Sequence, residues 1–411
     1  MAGGAPPSSS TSSSSGLPPP PPPPKILLAK PSPAGAGGHR LGREDDPSGV
    51  LVRPRNATQP GSLNLLSESW EIQSDRVLPF LTENSDFVVV GIIGPPGVGK
   101  STIMNELYGF DGSSPGMLPP FATQSDETKA MAKHCTVGVE LRVSSERLIL
   151  LDAQPVFSPS VLIDMMRPDG SSTIPVLNGE NLSADLAHEL MGIQLGVFLA
   201  SICNILLVVS EGIHDFTVWQ LMLTVDLLKH NIPDPSLLTS HPQGSSTVSD
   251  KENRGNIHAC NEEYLADLVF IHTKLREQDL SPSNVALLRK DFLQFFKCSS
   301  FSVTKCEPIS QVESSSSPNT QVQDSESIQP DLFFLPLRVQ DNSMAFEVES
   351  YSTMLGKLRD QILSMNPRPF SRNISERDWL RSSAKIWESV KKSPVIADYC
   401  RTLRNSGLFR K

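Results

Sequence analysis

Gly94-Pro95-Pro96-Gly97-Val98-Gly99-Lys100-Ser101 decides the fold. It follows the apolar run Phe87-Val88-Val89-Val90-Gly91-Ile92-Ile93 and opens a helix-compatible run, Thr102 to Tyr108. This is the GxxxxGK(S/T) pattern in the strand–loop–helix context that a phosphate-binding P-loop requires. A loop that wraps an anion needs backbone conformations closed to residues with a Cβ, and Gly94, Gly97 and Gly99 supply them. Loop N–H groups and the helix N-terminus then face the anion. Lys100 is placed to reach the β- and γ-phosphates, and the Ser101 hydroxyl to bind Mg²⁺. Val98 and Thr102 complete the expected nucleotide-binding stretch.

Outward from this loop, apolar runs alternate with helical patterns. Strands are predicted at Phe87–Ile93, Val137–Val143, Leu148–Leu151, Ile205–Val209, Leu268–His272 and Leu332–Leu337. Helices are predicted at Lys100–Tyr108, Leu182–Ile202, Phe216–Lys229, Val285–Phe296 and Tyr351–Met365, with another helical stretch over Leu63–Leu81. Such alternation calls for a mostly parallel sheet with crossover helices. The fold class is therefore α/β, a P-loop NTPase of G-domain-like form. Its ligand chemistry belongs at the carboxyl ends of the strands. The longest apolar run, Leu190 to Val209, is interrupted by Gln194, Ser201 and Asn204. A membrane span wants about 20 predominantly apolar residues, so a buried helix running into a buried strand is the preferred reading, with no membrane partner.

The strand ends carry the remaining chemistry. Leu148-Ile149-Leu150-Leu151-Asp152 is an apolar strand ending in a carboxylate, placed to hold Mg²⁺ directly or through water. Thr136 suits a mobile-loop threonine that closes on Mg²⁺ and the γ-phosphate. The pattern then breaks. A working GTPase continues D-x-x-G, whereas this chain reads Asp152-Ala153-Gln154-Pro155. Proline has no N–H to give the γ-phosphate, and its φ is fixed. Val156 stands where a water-orienting glutamine belongs, and Gln154 is a poor substitute. Slow or absent turnover is expected. The base-reading motif N/T-K-x-D reads Thr273-Lys274-Leu275-Arg276. Lys274 can still lie along a base, but a guanidinium only donates and cannot accept hydrogen bonds from guanine. The nucleotide is left as ATP, GTP or GDP.

The chain has 411 residues and a net charge of −9. Residues 1–60 form a Pro/Ser-rich arm with too little apolar surface to offset its ordering entropy. Pro18 to Pro24 is expected as polyproline helix. Lys25-Ile26-Leu27-Leu28-Ala29-Lys30 is either a short docking motif or an incidental apolar island. Residues 61–365 are read as the nucleotide-binding domain, with flexible insertions at about 233–261 and 307–330. Residues 366–411 are basic, but Trp379, Ile386, Trp387, Val390, Ile396 and Tyr399 recur at helical spacing. That argues for amphipathic helices with a packed face, not for a nucleic-acid arm. Ser310-Gln311 and Thr320-Gln321 are either kinase targets or chance dipeptides. The six cysteines form no CxxC or zinc spacing and no signal peptide opens the chain, which fits a reduced, cytoplasmic protein.

Three stretches carry a more specific resemblance: Phe87 to Ser101; the block Leu151-Asp152-Ala153-Gln154-Pro155-Val156-Phe157-Ser158-Pro159-Ser160; and Trp379 with Ala384-Lys385-Ile386-Trp387-Glu388-Ser389-Val390-Lys391-Lys392-Ser393. Over about residues 60–405 the chain resembles the nonsense-mediated mRNA decay factor family SMG-nine. The resemblance implies a G-domain-like regulatory subunit that pairs with SMG-eight, the pair binding and restraining the protein kinase SMG-one. It carries the nucleotide site over to Gly94, Gly97, Gly99, Lys100 and Ser101, with Thr136 and Asp152 on the Mg²⁺ side. An active P-loop GTPase or ATPase switch is the alternative.

Overall fold

The computed structural model describes residues 63–111, 117–166, 182–239, 264–301, 332–338 and 350–407, all within the unit Gln59–Lys411. The Pro/Ser-rich arm with its Lys25–Lys30 island, residues 240–261, the insertion at 307–330 and both kinase-target dipeptides lie outside the described residues.

Among the described residues, seven strands form one sheet: β1 (Asn64–Leu66), β2 (Val88–Ile93), β3 (Val139–Val143), β4 (Leu148–Ala153), β5 (Ile205–Glu211), β6 (Asp267–Leu275) and β7 (Leu332–Pro336), in the order β1-β3-β4-β2-β5-β6-β7. The pairs β4–β2, β2–β5, β5–β6 and β6–β7 are parallel; β1–β3 and β3–β4 are antiparallel. The P-loop strand β2 sits at the centre, beside β4, which carries Asp152 one residue before its end. A mostly parallel sheet of this order, with one antiparallel end, is the G-domain-like α/β fold that the alternation of runs predicts.

The longer helices are α2 (Lys100–Tyr108), α5 (Ala184–Ile202), α6 (Phe216–Leu228), α7 (Pro282–Phe295), α8 (Tyr351–Ser364), α9 (Glu376–Lys391) and α10 (Pro394–Asn405); α1 (Ser74–Val77), α3 (Asp126–Ala130) and α4 (Pro159–Met165) are short. Ser183, Asp215, Ser281, Ser350, Ser375 and Ser393 each accept a backbone N–H at a helix N-cap, satisfying one orphan donor of the first turn. The period-2 alternation of the strands separates two cores. Val90, Ile92, Leu150, Leu207 and Ile271 pack under α2 and α8. Val89, Ile93, Leu151, Leu206 and Phe270 pack under α5, α6, α7 and α9. Covered on both faces, the strands read as continuous apolar runs.

The sequence expectation of a helix over Leu63–Leu81 is corrected. Only Ser74–Val77 is α-helical, followed by a 3₁₀ turn at Leu78–Phe80; Asn64–Leu66 is an edge strand. Leu63, Leu65 and Leu66 are buried, and Leu63 O accepts from Leu141 N at 2.7 Å. Pairing with β3 satisfies this backbone better than an isolated helix would, and Pro79 limits the helix that follows.

The polar interruptions of the apolar run at 190–209 have structural duties. Asn204 Oδ1 accepts from Val89 N at 2.9 Å and its amide donates to Tyr264 Oη at 3.2 Å, pinning the start of β2. Among the described residues, no helix is long and apolar enough to cross a membrane. The C-terminal helices bury one face, as their spacing requires. Trp379 Nε1 donates to Ile202 O and Trp387 Nε1 to Trp70 O, each at 2.8 Å.

Candidate nucleotide-binding site

The P-loop leaves β2 at Gly94, where the backbone runs against β5: a Cβ there would stand 2.1 Å from Val209 O. Gly99 caps α2 at φ +94°, a left-handed conformation that favours glycine. Lys100 is buried, and its ammonium donates to Gly94 O (3.0 Å) and Pro95 O (2.9 Å). Burial lowers its pKa to about 8, with nearby Asp152 acting in the opposite direction. The side chain is thus a desolvated cation inside the loop, held by carbonyls that a polyphosphate can outcompete.

Behind it, three oxygen groups converge. Asp152 Oδ2 accepts from Ser101 Oγ at 2.7 Å and from Thr136 Oγ1 at 3.0 Å, and the two hydroxyls lie 3.4 Å apart. Asp152 is fully buried and its Oδ1 has no hydrogen-bond partner. Burial pushes its pKa up, while Lys100 and the two hydroxyl bonds pull it down. An orphaned carboxylate oxygen beside two hydroxyls fits a hard cation. Among the described residues no cluster of three His, Cys, Asp or Glu forms a complete protein cage. One carboxylate with hydroxyls suits Mg²⁺, which keeps waters and takes phosphate oxygens.

These groups open on a cavity of about 570 Å³ lined by Gly97, Gly99, Lys100, Ser101, Thr102 and Thr136, and also by Pro155 and His134. Its size lies within the range of small-molecule sites. Asn105 fastens one wall: its amide donates to Phe121 O at 2.9 Å and accepts from Phe121 N at 2.8 Å.

The remaining expected site residues divide. Val98 is a core residue under α2, so its contribution to the loop is its backbone. Thr273 and Lys274 do not line the cavity. Instead of opening a loop, they continue β6 to Leu275. Thr273 Oγ1 donates to Ser210 O at 3.2 Å; Lys274, at φ +58°, pairs with Glu211 at 2.7 Å. Arg276 N donates to Asp279. Gln154 is buried, with its carbonyl accepting from Gly138 N at 2.9 Å, and Val156 is buried with its N–H on Gly94 O. Neither is placed to orient water.

Sequence reading missed Glu140. It stands directly opposite Asp152 in the β3–β4 register and pairs with Arg142 at 3.7 Å. Burial, then Asp152, pushes its pKa up to about 7, against the pull of Arg142. The alternation Glu140–Arg142 reads as a solvated strand face; β1 and Phe121 cover it instead, with Arg142 over the Phe121 ring at 5.4 Å and within reach of Leu63 O.

No family model matches the chain. It is 28% identical over 353 residues to the nonsense-mediated mRNA decay factor SMG9 of Xenopus tropicalis and 27% identical over 350 residues to that of Salmo salar. Each match covers 80% of this chain and 64% of the relative, so the chain spans less than two thirds of the length of these curated relatives. Among solved structures, translation elongation factor SelB from Methanococcus maripaludis, in complex with the GTP analogue GppNHp, aligns at 10% identity and a TM-score of 0.28, covering 69% of this chain and 35% of that one. The chain is thus a homologue of the SMG9 nonsense-mediated mRNA decay factors.

Proposed function

We propose that this chain is a nucleotide-holding regulatory subunit of nonsense-mediated mRNA decay, which pairs with SMG-eight and with it binds and restrains the kinase SMG-one. The site takes a purine nucleotide, ATP, GTP or GDP, with Mg²⁺, and turns it over slowly or not at all. One observation carries the nucleotide part: the convergence of buried Lys100, Thr136 and Asp152 with half-buried Ser101 at the end of the P-loop, with one Asp152 oxygen unpartnered. Ser101, Thr136 and Asp152 would hold the metal, which supplies charge neutralisation between phosphates. Lys100 would leave its loop carbonyls for the β- and γ-phosphates. The lack of turnover is supported by Pro155, which has no N–H to give, and by Gln154 and Val156, both buried. Bound nucleotide then acts as a structural ligand, stabilising the fold by about 2.7 kcal/mol at a hundred times its Kd. The regulatory part is supported by the similarity to SMG9 factors; a cytoplasmic location without membrane or nucleic-acid contact belongs to the same reading.

Single-turnover hydrolysis of ATP and GTP, by the protein alone and with its SMG-eight partner, tests this. Rates equal to those of Lys100→Ala are expected in both cases. A partner-stimulated rate abolished by Asp152→Ala would replace the holding role with an active switch. Loss of kinase restraint on depleting the subunit is the corresponding expectation for the complex.

A further inference from the structure

Pro155 withholds a donor from the cavity wall where a terminal phosphate would lie, and another wall carries a side chain able to replace it. His134 lines the same cavity as Lys100, Ser101 and Thr136, two residues ahead of Thr136 in the chain. Its Nδ1 lies 2.8 Å from Ser160 Oγ, which in turn lies 3.0 Å from Ser158 Oγ. These serines sit on the stretch that leaves Pro155 and enters α4. One ring nitrogen is therefore committed, while Nε2 has no hydrogen-bond partner among the described residues. Two other polar side chains of the cavity are engaged within the protein: Gln124 donates to Lys133 O at 2.8 Å and Lys129 pairs with Asp126 at 3.3 Å.

We propose that His134, oriented by Ser160, is a ligand of the terminal phosphate of a bound nucleoside triphosphate and gives this pocket a preference for triphosphate over diphosphate. The proposal rests on the nucleotide reading above and adds the group that reads the end of the phosphate chain. With the Ser160 hydroxyl donating to Nδ1, the ring proton stands on Nε2, the nitrogen left for the ligand. A hydrogen bond to a charged oxygen is stronger than one between neutral groups, and a ring already held in place loses little freedom on making it. A diphosphate leaves Nε2 without that acceptor. The same bond ties the segment before Thr136 to α4, so a bound triphosphate holds two walls of the cavity together.

Calorimetric titration of the full chain with Mg·ATP, Mg·ADP, Mg·GTP and Mg·GDP tests this. His134→Ala is expected to weaken triphosphate binding about tenfold and diphosphate binding less than about twofold. His134→Gln, which keeps a donor, should recover most of the loss. Ser160→Ala should weaken triphosphate alone, by about threefold. Melting curves accompany each variant; where His134→Ala lowers the melting temperature, the Gln and Ser160 variants carry the test. Equal losses for tri- and diphosphates, or no loss, overturn the role of His134 while leaving nucleotide binding intact. A wild-type protein that binds none of the four overturns the nucleotide reading itself, and this inference with it.

Discussion

The two ends of the candidate site were built to different standards. At the phosphate end, three buried polar groups, Lys100, Thr136 and Asp152, and the half-buried Ser101 converge within hydrogen-bond distance of one another or of the loop. At the base end, the residues at the corresponding motif positions are spent on the protein itself. Thr273 bonds to Ser210, Lys274 to Glu211, and the strand runs on where a reading loop would begin. A buried carboxylate oxygen without a partner costs about 1–3 kcal/mol or more, so the phosphate end retains a cost that a bound cation would relieve. At the base end the motif residues Thr273 and Lys274 are both partnered, and the orphaned atom there, His272 Nε2, belongs to a neutral ring rather than to a carboxylate. On the proposed reading, the contrast means that the site is organised around a polyphosphate and its metal, with discrimination between bases a secondary matter.

The contrast can be broken first at Lys100. Lys100→Ala should weaken Mg·nucleotide binding roughly 100-fold, from the loss of charge-assisted contacts to two phosphates; isothermal titration reads it, and an unchanged Kd would remove the phosphate end from the account. The second test concerns His272, at the base end. Its Nδ1 sits 3.0 Å from Gly212 O, and Nε2 is buried without a partner. Burial lowers its pKa to about 4, below the unfolded value. The neutral ring therefore favours the fold: its contribution is complete above about pH 6.5 and is lost as pH falls toward 4. Between pH 7 and 5 the wild type should lose about 2 kcal/mol relative to His272→Gln, with nucleotide affinity tracking stability in neither protein. Denaturation midpoints at the two pH values check this, and parallel curves would deny it.

A third and smaller effect is expected at the metal. Asp152→Asn keeps the acceptor for Ser101 and Thr136 but removes the charge, and should cut the Mg²⁺ dependence of nucleotide affinity about tenfold. Equal Mg²⁺ titrations for both proteins would point to a metal held elsewhere. Smallest of all, Lys274→Ala and Arg276→Ala should each change affinity for any purine nucleotide less than about twofold. A large loss in either would mean that the base end reads its ligand after all.

The phosphate end was legible in the sequence because its chemistry is local and spaced. A P-loop must have its glycines, its lysine and its serine in one contiguous stretch, and Asp152 must end an apolar strand. Pro155 was equally plain, since a proline's missing N–H needs no structure to be known. What escaped was set by long-range pairing. Leu63–Leu66 has the composition of a helix face, and only its partner β3 makes it a strand. Glu140 and Arg142 alternate like a solvent-facing edge, and only β1 and Phe121 cover them. Thr273 and Lys274 matched a motif by type, yet pairing with β5, which sets Glu211 opposite Thr273, carries the strand past them. His134 sits in a stretch with no apolar period, and its link to Ser160 spans 26 residues.

The most direct test is native mass spectrometry of the full chain purified in Mg²⁺ without added nucleotide, followed by titration to millimolar ATP, GTP and GDP. The account predicts a retained mass of one nucleotide with Mg²⁺, or stoichiometric uptake of one, with Lys100→Ala remaining empty. A wild-type protein that stays empty throughout, or a Lys100→Ala variant that loads as fully, would contradict it.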